Sequence, residues 1–293
     1  MPLTPDTRVL LTGGGAQLAA ALRDRLAAHC HLVPVTRQEL DIASAADVAR
    51  VTGDLRPDVI INCASYNDVD GAERDAAAAL LVNGLGVGTL ADAAARLEAT
   101  LVHYSTDFVF NPDANPGPLP ETWPVSPRSI YAQSKLLGET LARRAPRHYI
   151  LRVASLFGGS RAKSSLDRIA GAIRRGDTVK AFANRTVTPS YVPDLADATA
   201  DLLAAEVPFG LYHCVNSGAT TWVEVARAIA VESGRDPDQA VEPSVFDPAA
   251  FPAWRPTYAA LSNAALAAHG VRLPAWRDAI ARYVATLPAV QPR

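Results

Sequence analysis

Tyr131 and Lys135 stand four residues apart in Tyr-Ala-Gln-Ser-Lys. In a helix that spacing puts both side chains on one face. A lysine ammonium beside a phenol favours the phenolate, so Lys135 is expected to lower the Tyr131 pKa from about 10. A phenol tuned in this way exchanges a proton nearer neutral pH. The chain has eight Tyr and three Lys, so the pairing is rare by chance. Upstream, Tyr104-Ser105-Thr106-Asp107 ends an apolar run and offers hydroxyls that can hydrogen-bond a carbonyl oxygen. The bland alternative is a surface Tyr–Lys contact with a capping Ser-Thr pair.

A second element is Thr12-Gly13-Gly14-Gly15-Ala16-Gln17-Leu18-Ala19. A strand that stops in a glycine turn before a helix presents free N–H groups and a positive dipole end to an anion. Dinucleotide folds hold a pyrophosphate this way. Read as GxxGxxG, only Gly13 keeps glycine; Ala16 and Ala19 take the other two places. Ala19 is tolerated, because that position serves helix packing. Ala16 departs at the place of closest phosphate approach, and a ligand-free glycine turn is the competing reading. Thr36-Arg37 follows the second strand with no acidic residue. An arginine there accepts a 2′-phosphate, which favours NADPH over NADH; a solvated loop arginine is the alternative.

These groups need elements to hold them. Short apolar runs at Arg8–Thr12, His31–Val35, Val59–Asn62, Thr100–Ser105 and His148–Val153 read as strands. Helical periodicity falls between them, at Ala16–Ala28, after the cap Ser44, over Gly71–Leu97 with interruptions near the glycines, and over Ser129–Arg144. Strict alternation implies right-handed crossovers and a parallel sheet covered on both faces. The expected fold is α/β, a Rossmann-type doubly wound parallel sheet with a smaller mixed α/β C-terminal substrate-binding region. Expected boundaries are 1–155 for the dinucleotide-binding core, with 188–232 returning to it. Residues 156–187 and 233–293 would form the substrate region. After residue 155, Ser164–Arg175, Leu195–Ala205 and Thr221–Ser233 read as helices, Thr188–Asp194 as a strand and turn, and Leu211–Val215 as a strand. Residues 111–127 read as a surface loop.

A formal charge of -2 and a pI near 6.3 argue against a nucleic-acid partner. No apolar run promises a membrane span and no signal peptide is evident, so no membrane partner is expected. Three scattered cysteines form no disulfide framework, and no metal-ligand cluster is expected. A reduced, cytoplasmic protein fits these features. Of 28 basic residues only Lys135, Lys163 and Lys180 are lysine, a skew that reads as codon bias. Lys135 is the exception, since arginine would not reproduce a compact ammonium.

Several segments together resemble extended short-chain dehydrogenase/reductases of the dTDP-4-dehydrorhamnose reductase family. They are Leu40-Asp41-Ile42, Pro57–Asn62 through Asp70-Gly-Ala-Glu73, Val82-Asn83 and Ser105-Thr-Asp-Phe-Val-Phe110. Tyr131–Glu139, Leu151-Arg152 and Thr188–Ala196 complete the set. The resemblance implies Tyr131 as proton donor, Lys135 as its tuning residue and ribose ligand, and Thr106 as the hydroxyl orienting a sugar carbonyl. Asp107, Phe108 and Ser155 would face substrate. Gly13, Gly15, Ala16, Gln17, Leu18, Arg37, Asp41, Ile42, Ala64, Ser65 and Tyr66 would line the cofactor with Tyr131 and Lys135. Trp254, Arg255 and Tyr258 are candidates for a nucleotide diphosphate, or else ordinary loop anchors.

Departures from the family pattern fall in the pocket. Phe108 stands for Tyr, Ser155 for Trp, and Asn184-Arg185-Thr186-Val187 for Asp-Gln-x-Gly. The implied function is an NAD(P)H-dependent ketoreductase acting on a nucleotide-activated 4-keto-6-deoxysugar or a related secondary-metabolite ketone. The alternatives are a sugar-nucleotide epimerase or dehydratase, and a non-catalytic regulatory subunit. The sequence leaves the oligomeric state open, a homodimer being common for this fold.

Overall fold

The computed structural model describes residues 3–112, 114, 117–159, 164–205 and 207–288. Lys163 and part of the expected 111–127 loop lie outside them. The chain begins β1 (Arg8–Thr12), α1 (Gln17–Leu26), β2 (His31–Val35), α2 (Ala45–Leu55), β3 (Val59–Asn62) and α3 (Val69–Arg74). Ser44 caps α2 by accepting from the Asp47 amide at 3.2 Å. Then come α4 (Ala76–Leu80), a π-turn at Leu81–Leu85, α5 (Gly86–Leu97), β4 (Thr100–Thr106), α6 (Ile130–Ala142) and β5 (His148–Val153). The expected helix over 71–97 is thus broken at Asp75, which caps α4, and interrupted around Gly84 by the π-turn.

Five of these strands join a later one, β10, in a six-stranded sheet of order β10-β5-β4-β3-β1-β2, with every pairing parallel. Alternate residues feed opposite faces. Val9, Leu11, Ile61, Val102 and Leu151 pack under α1. Leu10, Ile60, Leu101 and Ile150 pack under α2 and α5. Covering on both faces explains why the strands are apolar at successive positions. The run 76–97 is long and apolar enough by length and composition to cross a bilayer, but half of it is buried inside the fold. It serves here as a core helix.

The second half runs β6 (Leu156–Phe157), α7 (Ser165–Arg174), β7 (Val179–Phe182), β8 (Thr186–Val187), β9 (Ser190–Tyr191) and α8 (Val192–Ala204). It continues with β10 (Gly210–His213), β11 (Thr220–Thr221), α9 (Trp222–Glu232), α10 (Pro237–Ala240), β12 (Val241–Ser244), α11 (Ala264–Ala268) and α12 (Trp276–Thr286). Helix α8 starts three residues earlier than its expected Leu195, because Pro193 is tolerated in a first helical turn. It packs on the sheet beside α1, as does Leu266 of α11. Helix α9 joins Phe157, Leu166, Ala181, Trp276 and Ile280 in a separate apolar cluster. Within that cluster α9 packs against α7 and α12. Lys180 is exposed and pairs with Glu242 at 3.4 Å, in keeping with a surface role.

Candidate active site

The chain reverses direction of travel across the sheet between β1 and β3, which leaves a crevice at the carboxyl ends of those strands. There Thr12 donates to the Asn62 carboxamide at 2.6 Å, tying the two strand ends together. A cleft of about 1040 Å³ opens from this point. It is lined by all seventeen residues expected in the site: Gly13, Gly15, Ala16, Gln17, Leu18, Arg37, Asp41, Ile42, Ala64, Ser65, Tyr66, Thr106, Asp107, Phe108, Tyr131, Lys135 and Ser155.

Gly13 adopts φ +67°, and a Cβ there would lie 2.5 Å from the Ala64 amide nitrogen. Only glycine fits this crossing of β1 past the end of β3. Ala16 occupies the N-cap of α1 and offers no side-chain cap. The first-turn amides of α1 therefore stay available to an anion, which is the requirement for holding a pyrophosphate. The Ala16 methyl is also partly accommodated, since it packs against the core beneath α1. Arg37 is exposed and sits 3.5 Å from Asp41, and both line the cleft. Ile42 is buried against Gly86 of α5.

The loop after β3 is held by one residue. Asn83, fully buried in the π-turn, accepts from the Ser65 hydroxyl at 2.9 Å and the Tyr66 amide at 2.8 Å. Its amide donates to the Tyr66 carbonyl and to Ser134, both at 3.0 Å. Ser134 in turn donates to the Tyr131 carbonyl at 2.7 Å. Every hydrogen-bonding position of the Asn83 carboxamide is used. The π-turn aims this polar residue at α6, so the loop after β3 and the Tyr131 turn are fixed together. Its sequence signal was a lone Asn in an apolar helical run.

Tyr131 lies in the first turn of α6, which starts at the Ser129 cap. Its ring meets Phe108 edge-on at 6.0 Å. Lys135 is buried one turn later and donates to the Tyr104 carbonyl at 2.6 Å. Burial pulls the ammonium down to about 8 against the attraction of Glu139 and Cys63. Glu139, fully buried one further turn along, is held bidentately by Arg152 at 2.8 and 2.7 Å and accepts from Ser105 at 2.6 Å.

The expected lowering of the Tyr131 pKa is overturned. Burial, joined by the nearby Asp107 carboxyl, pushes the phenol up to about 12, while Thr106 pulls the other way. Burial is the main cause, and Lys135, which donates to the end of β4, does not counter it. Tyr131 is therefore neutral at pH 7, the form a proton donor needs. Thr106 donates to Asp107 at 3.0 Å and accepts from the Phe108 amide at 3.2 Å. Burial lifts Asp107 to about 7, offset by the Arg185 guanidinium and by local hydrogen bonds.

Ser155 takes a left-handed conformation, φ +47°, where β5 gives way to β6 at the cleft wall. Arg255 also lines the cleft but is clamped by Asp70 at 2.9 and 2.8 Å. Trp254 instead donates to Asn111 at 2.7 Å under the Arg128 guanidinium, and Tyr258 is buried beside a different, smaller cavity. These two anchor the loop. Arg168 and Trp222 line the cleft without having been singled out in the sequence, and Arg185, marked there only as part of a departing segment, lines it too.

A crevice at the strand switch point, an uncapped glycine-turn helix and a Tyr–Lys helix across from it define a Rossmann-type dehydrogenase/reductase architecture. Within that class, the family described as "RmlD substrate binding domain" matches residues 7–288, and the chain belongs to it. It is 34% identical to a dTDP-4-dehydrorhamnose reductase of Burkholderia thailandensis, over 93% of this chain and 96% of that one. It is 37% identical to a dTDP-4-dehydrorhamnose reductase of Mycobacterium tuberculosis, over 95% and 92%. A solved dTDP-4-dehydrorhamnose reductase of Bacillus anthracis, in complex with NADP, superposes with a TM-score of 0.88 at 27% identity, covering 98% of this chain and all of that one.

Proposed function

We infer that this chain is an NADPH-dependent ketoreductase acting on a nucleotide-activated keto-deoxysugar. The observation that carries this reading is the placement of Tyr131 in the same cleft as the uncapped amides of α1, one helical turn from the buried Lys135. Gly13, Gly15 and Ala16–Leu18 would hold the cofactor pyrophosphate, Arg37 its 2′-phosphate end, and Ala64–Tyr66 its flank. When bound, NADPH supplies a hydride to the ketone carbon. Tyr131 gives its proton to the forming alkoxide, and Thr106 with Tyr131 stabilises the charge that develops on that oxygen. Lys135, one helical turn along and held at the end of β4, would bind the nicotinamide ribose.

Relatives carrying the dTDP-4-dehydrorhamnose reductase name support a thymidine-diphosphate sugar as substrate class. Phe108, Ser155 and Arg185 change the pocket, and so favour a ketone other than the rhamnose precursor. The decisive experiment follows NADPH oxidation with a dTDP-4-keto-6-deoxysugar. One NADPH consumed per ketone reduced is expected. Turnover without net NADPH loss would point instead to an epimerase or dehydratase, and no NADPH binding at millimolar concentration to a regulatory subunit.

Cytoplasmic residence is supported by the three cysteines, which are all free and buried. A homodimer is supported by Leu81 and Leu85, exposed at i and i+4 on the run 76–97. Sedimentation of wild type against Leu85→Glu tests it: the variant should shift to monomer.

A further inference from the structure

We propose that Arg185 is a specificity-determining residue that binds the diphosphate of the nucleotide-sugar substrate. This rests on the reading of the cleft as a sugar-nucleotide reductase site. Arg185 lies beside β8, whose antiparallel pairing of Thr186 with Thr221 brings it level with Trp222. Both residues line the cleft. The guanidinium carbon lies 4.8 Å from the Phe246 ring centre and 5.9 Å from that of Phe108. Phe108 itself abuts Tyr131, so the cation sits close to the reacting corner.

Among the described residues, its one hydrogen bond runs from Nε to the Pro256 carbonyl at 3.3 Å, and it has no ion pair. The terminal nitrogens are thus free to donate into the cleft, and the two rings hold the guanidinium plane. Asp107 attracts the guanidinium from beyond ion-pair distance and offsets only part of the cost of its burial, so an incoming anion removes more of that cost. Burial lowers Arg185 only to about 10, so it is charged at neutral pH. The other cations of the cleft are differently disposed. Arg255 is neutralised by Asp70, and Lys135 is turned to the Tyr104 carbonyl. Arg37 pairs with Asp41. Arg168, exposed on α7, is the additional cation that lines the same cleft. A guanidinium fork matches two phosphate oxygens at once, which the glutamine of the family pattern cannot do.

The diphosphate could belong to substrate or to cofactor, and binding measured separately distinguishes them. Calorimetry with thymidine 5′-diphosphate and with NADP⁺ is run on wild type, Arg185→Gln and Arg185→Lys, with a melting curve for each. Arg185→Gln is expected to weaken thymidine diphosphate by about tenfold to a hundredfold, the range of one charge-assisted contact. NADP⁺ affinity should not change, and Arg185→Lys should recover part of the loss. In turnover the loss should appear in KM. Equal thymidine diphosphate affinity in Arg185→Gln overturns the proposal, as does a loss confined to NADP⁺ or to kcat. If wild-type protein binds NADP⁺ but no thymidine diphosphate, the sugar-nucleotide reading itself fails, which is a separate result.

Discussion

Lys135 donates its Nζ to the main-chain carbonyl of Tyr104 at 2.6 Å, so the ammonium is fixed to the end of β4 instead of contacting the Tyr131 phenol. Burial holds this lysine down near 8, below its ordinary 10.5. The charged form therefore works against folding below about pH 8. That penalty fades as pH rises from about 8 to 10.5, and stability from this group is lost again as pH falls through 8. Lys135→Met should flatten this slope in urea melts taken from pH 7 to 10. In the wild-type enzyme kcat/KM should fall above about pH 8, as the ammonium is lost. Lys135→Arg should not restore activity, because a planar fork does not fit the buried site of a compact ammonium.

Tyr131→Phe keeps the ring that packs on Phe108 and removes the proton. We expect kcat to drop at least about a hundredfold, as loss of a general acid does, with NADPH affinity unchanged. Fluorescence titration and steady-state rates on one preparation measure both. Near-normal turnover would remove Tyr131 from the mechanism.

Asp107 carries a pH signature of its own. Burial raises it from an ordinary 3.8 to about 7. A carboxyl raised in this way adds stability that is complete below about pH 4 and is lost as pH climbs through 7. Asp107→Asn should therefore show a flatter stability profile between pH 4 and 7. The same slope in variant and wild type would contradict the assigned burial.

Glu139 and Arg152 form a fully desolvated pair beneath the site. Removing one partner leaves the other charged and buried, which costs about 3–5 kcal/mol. Glu139→Ala should lower stability by that order in denaturant melts. It should also disturb Lys135, whose charge Glu139 supports from one turn away.

Much of the site was legible because its signals are local. Tyr131 and Lys135 share a helix face by spacing alone, and Gly13 must be glycine where a strand turns into a helix. The order of strands and helices follows from runs of apolar residues, so the crevice at the sheet's carboxyl edge could be anticipated. Short pairings such as Val179–Phe182 with Val241–Ser244 carried no such signal, because four residues including Pro243 do not establish a strand by themselves. Residues that meet only across the fold were equally silent. Arg185 reaches the Asp107 corner from a distant loop, and Arg255 finds Asp70. The sequence by itself determined which groups could do acid–base chemistry and in what order the chain presents them. Only the tertiary structure decided their protonation: it buried Tyr131 beside Asp107 and turned Lys135 away, so desolvation outweighs the attraction that spacing alone implied. Burial depends on what every other element packs over a residue, and no local pattern encodes that.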